Sequence, residues 1–301
     1  MSAPPPAKGN RQLSGLLFGL LAYGIWGLFP LYWPLLEPAD AVEIVAHRSL
    51  WSLVFLAVVV AVTRGWPVVR QTLATPRTRW LLLAAAALVS INWTGYIWAV
   101  NAEHVVEASL GYFINPLVSV LIGVVVLSER LRAAQWVAVG LGTVAVAVLT
   151  VAYGRPPWVA LLLASTFALY GLAKKLADVP AVPSLTVETI FMAPAALAVL
   201  AVWHSTGQGH FGTEPLQTAL FAGAGVVTAL PLLAFGAAAI RIPLSSLGLL
   251  QYLTPILQFL LGVLMFGETL SAVGWLGFGL IWLALAVFSI DAVRSARGSR
   301  R

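Results

Sequence analysis

NPLVSVLIGVVVLSERLRAAQW at residues 115–136 and TPILQFLLGVLMFGETLSAVGW at residues 254–275 are two versions of one pattern. The pairs Pro116/Pro255, Gly123/Gly262, Glu129/Glu268, Leu131/Leu270 and Trp136/Trp275 all recur at an offset of 139 residues. Just upstream, Ser109-Leu110-Gly111 and Ser246-Leu247-Gly248 match at an offset of 137. Coincidences at one spacing, in sequence that is otherwise aliphatic, indicate a duplicated unit. Each copy is a long apolar helix ending in a charged loop, so the repeat belongs to a bilayer and not to a soluble core.

Working outward, apolar runs of about 20 residues, the length that crosses a bilayer, recur along the chain. They are Leu13–Trp33, Glu43–Thr63, Trp80–Val100, Ala108–Leu127, Gln135–Tyr153, Trp158–Leu176, Leu185–Trp203, Leu216–Ile240, Ser245–Phe266 and Gly274–Ile290. The first is longer than a signal-peptide core and has no small-residue cleavage site, so it reads as a span. Alternating segments of about 10 residues, the mark of a membrane β-barrel, are not seen.

Composition agrees. Of 301 residues 60% are hydrophobic and 9% are charged, with 17 Lys+Arg and 11 Asp+Glu. A soluble domain carries about 25% charged residues, so a soluble enzyme and a disordered chain are excluded. Cysteine is absent, which excludes disulfides, thiol catalysis and Cys-ligated metal. The net charge of +6 is not gathered on a basic helix, so no nucleic-acid partner is expected.

With a cytoplasmic N-terminus, ten spans place every Lys and Arg except Arg48 and Arg155 on the inner side, as the positive-inside rule requires. The four histidines, at 47, 104, 204 and 210, fall toward the outside. The expected architecture is an all-α membrane protein of ten transmembrane helices. Residues 1–12 form a cytoplasmic tail, 13–153 a first five-span repeat, 154–290 a second, and 291–301 a basic cytoplasmic tail. Five is odd, so the second repeat enters the bilayer inverted. Inverted repeats are the architecture of many secondary transporters, in which one half rocks against the other around a midplane site.

SLGYFINPL at 109–117 is accompanied by AHR at 46–48, NWTGYIWAVN at 92–101, SER at 128–130 and TPILQFLLGVLMFGE at 254–268. On these motifs, over about residues 13–290, the chain resembles the RarD family of EamA-type transporters, in the drug/metabolite transporter superfamily. The resemblance implies ten helices, two EamA repeats and the bacterial inner membrane. The family takes its name from an association with chloramphenicol sensitivity, and the resemblance implies no particular cargo.

Charge at the bilayer centre costs about 2.5–3.5 kcal/mol on insertion scales, so polar residues there tend to serve function. His47 and Arg48 sit about one turn inside the second span, Arg48 on a face with Ser52 and His47 on a face with Trp51. Arg48 is read as the partner of a carboxylate or an anionic substrate, against the plainer reading of a snorkelling side chain. His47 is read as a group that titrates near neutral pH. Asn92 and Tyr96 share a stripe on the third span, Thr94, Trp98 and Asn101 form a neighbouring one, and Trp93 joins the substrate-binding candidates; Tyr112, Asn115 and Ser119 share a stripe on the fourth. Amides donate and accept, and aromatic rings offer stacking surface. The alternative is interhelical glue, worth about 0.6 kcal/mol per bond. On the ninth span Gln251, Pro255, Gln258 and Gly262 form one face, with Tyr252 adjacent. Pro116 and Pro255 are read as helix kinks that free the carbonyls of Tyr112 and Gln251.

Glu188 aligns with His47 across the repeat at an offset of 141. With Glu107 it completes the candidates for coupling to protons or another ion. Glu129 and Glu268 are read as structural, capping the next helix or pairing locally. The fifth and tenth spans carry few polar residues and suit scaffold or dimer contacts. The expected partners are a small-molecule substrate and membrane lipids, and the expected function is secondary active transport of a metabolite or drug-like solute. No nucleotide loop, HExxH or carboxylate pair supports an ATP-driven pump, a metalloenzyme or any cofactor. A lipid-handling flippase would use the same fold, with a cavity open to lipid.

Overall fold

The structure, a computed structural model, describes residues 8–101, 105–153, 158–264 and 272–298. Among them there is helix and no strand. α1 (Lys8–Gly27) leads through 3-10 turns at Phe29–Leu31 and Trp33–Leu36 to α2 (Ala41–Val62), followed by α3 (Trp66–Ala74) and α4 (Pro76–Asn101). The chain continues through α5 (Val105–Val125), α6 (Ala133–Tyr153), α7 (Trp158–Ala177) and α8 (Ala181–Ser205). It ends with α9 (Pro215–Ala239), α10 (Leu244–Leu250), α11 (Leu253–Leu264) and α12 (Ala272–Gly298).

Five segments are long and apolar enough to cross a membrane by length and composition: Arg11–Leu31, Ala41–Val62, Trp158–Ala177, Ala181–Ser205 and Pro215–Ala239. Shorter apolar stretches occupy Gly111–Val125, Ala133–Val148 and Trp275–Phe288. Outer faces carry exposed Leu17, Val58, Leu121, Val151 and Leu197, a surface suited to lipid and not to water.

Local chemistry sets the helix starts. Asp40 caps α2, its carboxylate accepting the Val42 N–H at 2.7 Å. Proline opens α4 and α9 where no intrahelical donor is needed. α3 is a short amphipathic helix outside the expected spans. It buries Val69, which joins Val60, Leu82 and Val187 in one apolar cluster.

The ninth span departs from the expected continuous helix. It is broken into α10 and α11 by a turn at Gln251–Tyr252. Pro255 has no N–H to give the Gln251 carbonyl, and its ring crowds that position. The carbonyl instead accepts the N–H of Thr254 at 3.1 Å, so it is not left free as the kink reading expected. Pro255 thus lies in the first turn of α11, where proline is tolerated. Its counterpart Pro116 sits inside an unbroken α5.

Helix packing has an internal regularity. α2 packs on α8, α6 on α12, and α5 on α10. α4 packs on α7 as α9 packs on α1; α5 packs on α7 as α11 packs on α1; α4 packs on α8 as α9 packs on α2. Exchanging α1 with α7, α2 with α8, α4 with α9, α5 with α10–α11 and α6 with α12 leaves this scheme unchanged. Glycines permit the closest crossings. An added Cβ on Gly225 would lie 2.3 Å from the Trp51 carbonyl carbon, and one on Gly15 2.6 Å from Ile242.

Candidate solute-binding cavity

A cavity of about 930 Å³ lies at the centre of the bundle. Its walls come from α1, α2, α4, α5, α7, α9 and the α10–α11 break, and its mouth from residues between Phe29 and Ala41. α6 and α12 pack on each other and contribute no lining residue among the described residues.

Arg48 is the only Lys or Arg that lines the cavity among the described residues. Its Nε donates to Thr228 Oγ1 on α9 at 3.0 Å. Its guanidinium carbon sits 4.1 Å from the Trp93 ring centroid and 4.9 Å from that of Trp33. Two aromatic faces thus hold the cation's flat surfaces.

Amides provide the other polar contacts. Asn92 Nδ2 donates to the Leu163 carbonyl at 2.8 Å and to Thr166 Oγ1 at 2.9 Å, tying α4 to α7. Asn115 accepts from Ser119 at 3.3 Å. Gln258 donates to the Trp26 carbonyl at 3.3 Å, and Thr254 to that of Tyr23 at 2.9 Å. Gln251 is buried, and its Oε1 has no hydrogen-bond partner. Tyr96 meets Tyr112 edge-on at 6.1 Å, and Trp26 meets Phe167 at 5.5 Å.

Two polar clusters flank the cavity. In one, Lys174 pairs with Glu188, which also accepts from Tyr170 Oη at 3.1 Å and Ser184 Oγ at 3.0 Å. A void of about 10 Å³ separates Glu188 from Thr228 and Trp93, room for one water. In the other, buried Glu43 accepts the His210 backbone N–H at 2.7 Å and faces His210 Nδ1 at 2.9 Å. His47 Nε2 lies 3.9 Å from the same carboxylate. Its ring stacks on Phe211 at 4.8 Å and leans on Phe221 at 4.6 Å.

The end opposite the mouth is tied together. Glu129 accepts Leu244 N–H at 2.7 Å, Ser245 N–H at 2.9 Å and Ser245 Oγ at 2.7 Å, so it caps α10 and not the next helix. Lys175 and Arg11 bind carbonyls at and just beyond the end of α9, Ile242 at 2.7 Å and Ile240 at 3.1 Å. Cations are favoured there by the helix dipole.

Known proteins resemble the chain along nearly its whole length. Protein RarD of Streptomyces exfoliatus is 54% identical over 292 residues, covering 97% of this chain and 93% of the relative. Protein RarD of Escherichia coli (strain K12) is 42% identical, covering 97% and 98%. The chain belongs to the RarD family of EamA-type transporters. The EamA-like transporter family profile matches residues 13–151. A protein of Bacillus subtilis (strain 168) named an uncharacterized transporter, YojE, is a further family member at 43% identity, covering 95% of this chain and 97% of its own. A solved crystal structure shares the fold, with TM-score 0.72 at 21% identity, covering 94% of this chain and 99% of that one. Like its relatives, the chain is a transporter-family integral membrane protein.

In this RarD-family cavity Arg48, Asn92, Trp93, Tyr96, Tyr112, Asn115 and Gln251 come together. Three expected residues do not. His47, about 100° round α2 from Arg48, turns to Glu43 and the aromatic pair instead. Trp98, two residues and about 200° from Tyr96, is exposed and packs on Trp158 at 5.1 Å. Tyr252 is buried, its hydroxyl beside Gly142 on α6. The side chains of Asn101 and Glu107 lie outside the described residues, as does Glu268. Lys174, expected at the inner end of the sixth span, is buried against Glu188. Sequence reasoning missed Tyr23, Trp26, Trp33 and Phe167 as cavity walls. The signal was present: Trp26 and Phe167 stand 141 residues apart, the offset that relates His47 to Glu188.

Proposed function

We propose that the chain is a secondary active transporter of a small organic solute, working by alternating access in the bacterial inner membrane. Ten spans form two inverted five-span halves, with both termini cytoplasmic. The observation that carries this reading is the central cavity, bounded at one end by residues 29–41 and backed at the other by tied helix ends. That arrangement suits an outward-facing state. The exchange symmetry of helix packing supports the inverted repeat, because a rocking pair of related halves generates the opposite-facing state from the same contacts. The segregation of Lys and Arg supports the orientation.

A gradient supplies the driving force, and protons are the proposed coupling ion. Glu188 is the proposed coupling residue, since among the described residues it alone combines deep burial, a cation partner and an adjacent one-water void. A flippase reading fits less well: an arginine and several amides in the lining suit a polar solute better than acyl chains.

The test is a metabolite screen comparing deletion and overexpression strains, then transport of each hit into proteoliposomes with and without a pH gradient. Solute movement that Asn115→Leu abolishes supports the cavity as the route. Equal movement by correctly inserted Asn115→Leu removes the site assignment, and indifference to the gradient removes proton coupling.

A further inference from the structure

Resting on that reading of the cavity, we infer that the solute is an organic monocarboxylate with a nearby hydrogen-bond donor, bound by Arg48 and Gln251. A guanidinium carries five N–H donors, and Nε–H is used on Thr228. Trp33 and Trp93 cover its faces but leave the terminal nitrogens to the cavity. No Asp or Glu among the described residues lies within ion-pairing distance of Arg48. Among the described residues every other deeply placed charge has a partner: Lys174 has Glu188, and Glu43 has His210. A planar fork with unspent donors in a low-dielectric pocket matches a carboxylate, which accepts two parallel N–H bonds.

The charge count sets the valence. Among the described residues one cation faces the cavity, while Glu37 and Asp40 stand exposed at the mouth. Asp40 is engaged as the α2 cap. A single negative charge is balanced by Arg48; a phosphate dianion is left half-neutralised and passes two carboxylates on entry. Gln251 adds the second requirement. Its buried, unpartnered Oε1 accepts one N–H or O–H. Between these anchors Trp26, Tyr96, Tyr112 and Phe167 offer stacking surface for a flat body.

Hippurate is a suitable probe: it joins a carboxylate, an amide N–H and a phenyl ring. Its neutral amide and the cationic N-benzoylethylenediamine keep the ring and the N–H. Purified full-length protein in detergent is titrated with radiolabelled hippurate, with the two analogues as competitors, at pH 7. Hippurate is expected to bind about tenfold or more tightly than either analogue, the scale of a charge-assisted pair. Arg48→Gln is expected to bind hippurate and its amide alike; Arg48→Lys, with charge but no fork, falls between. Gln251→Leu is expected to weaken hippurate about tenfold. Equal or tighter binding of the amide or the cation by the parent overturns the inference, and this decides the matter even if the Arg48 variants fail to insert. Proteoliposome uptake separates the two readings. Movement of the neutral or cationic analogue in preference to hippurate sinks the anion inference and leaves transport standing. Selective binding of hippurate without movement upholds the inference and counts against transport.

Discussion

Lys174 on α7 and Glu188 on α8 form an ion pair with side chains only 2% and 1% exposed. Ser184 and Tyr170 complete the network, Lys174 donating to Ser184 Oγ at 2.7 Å. Removing one partner strands a buried charge, a loss of about 3–5 kcal/mol. Lys174→Ala and Glu188→Ala should therefore unfold at clearly lower temperature in detergent. The double variant Lys174→Met/Glu188→Met should recover most of that loss, because it removes both charges together. If Glu188 couples transport to protons, the double variant should also insert normally yet lose its response to a pH gradient. Stability of Lys174→Ala equal to the parent would refute the pairing argument.

Glu129 and the start of α10 belong to different halves of the chain. Replacing Glu129 by Ala removes three accepted hydrogen bonds and a cap worth about 0.5–2 kcal/mol. The tied end should then open more often. Since the chain has no cysteine, Ser246→Cys gives a single clean reporter at a buried site. Its labelling by a membrane-impermeant maleimide should be several-fold faster in the Glu129→Ala background. Unchanged labelling would show that this cap does not hold the end closed.

Tyr252 offers a direct check on the extent of the proposed site. Its hydroxyl is buried without a partner, away from the cavity. An unmade hydrogen bond costs about 1–3 kcal/mol, so Tyr252→Phe should be neutral or stabilising in a thermal melt and leave solute binding unchanged. Lost binding with a normal melt would restore Tyr252 to the site.

The legible and illegible parts of the sequence divide along physical lines. The class of fold was legible because lipid imposes long apolar runs and segregates Lys and Arg. Asn92, Tyr96, Tyr112 and Asn115 were legible because polarity at helical spacing has few places to go in a bilayer. Direction within a helix turn was harder: His47 and Arg48 are neighbours, yet only Arg48 faces the cavity. The pairing of Lys174 was missed because a lysine near the inner end of a span reads as an orientation marker, and only packing revealed Glu188 beside it. Trp26 and Phe167 escaped because an aromatic residue in an apolar run carries no periodic contrast. The Glu129 cap escaped because its partner lies 116 residues on, at Ser245.

The loop between α8 and α9 should depend on Glu43. His210→Ala removes the side-chain contact but keeps the backbone N–H bond, whereas Glu43→Ala removes both. A graded effect follows. With Gln208→Cys as the reporter, maleimide labelling should rise modestly for His210→Ala and more for Glu43→Ala. The unfolding temperature should fall in the same order, with a spread of about 1–3 kcal/mol. The opposite order, or identical labelling in all three backgrounds, would mean that the carboxylate does not hold this loop.

Gly225 and Gly140 provide a matched pair of glycine tests. An added Cβ at Gly225 would lie 2.3 Å from the Trp51 carbonyl carbon and 2.6 Å from the Ser52 nitrogen. Both are backbone atoms, so no rotamer change relieves the clash. The Ser52 hydroxyl also donates to the Gly225 carbonyl at 2.9 Å, fixing the helices at this separation. Gly225→Ala must push α9 from α2, at the upper end of the about 1–3 kcal/mol typical of overpacking. It should also disturb the cavity, because Arg48 on α2 reaches Thr228 on α9 one turn further along. An added Cβ at Gly140 meets nothing within 4 Å. Gly140→Ala should therefore gain up to about 1 kcal/mol from helix propensity. Thermal melts and solute binding for the two variants should move in opposite directions for stability, and only Gly225→Ala should weaken binding. Similar melts for both would mean that the α2–α9 crossing is looser than this contact requires.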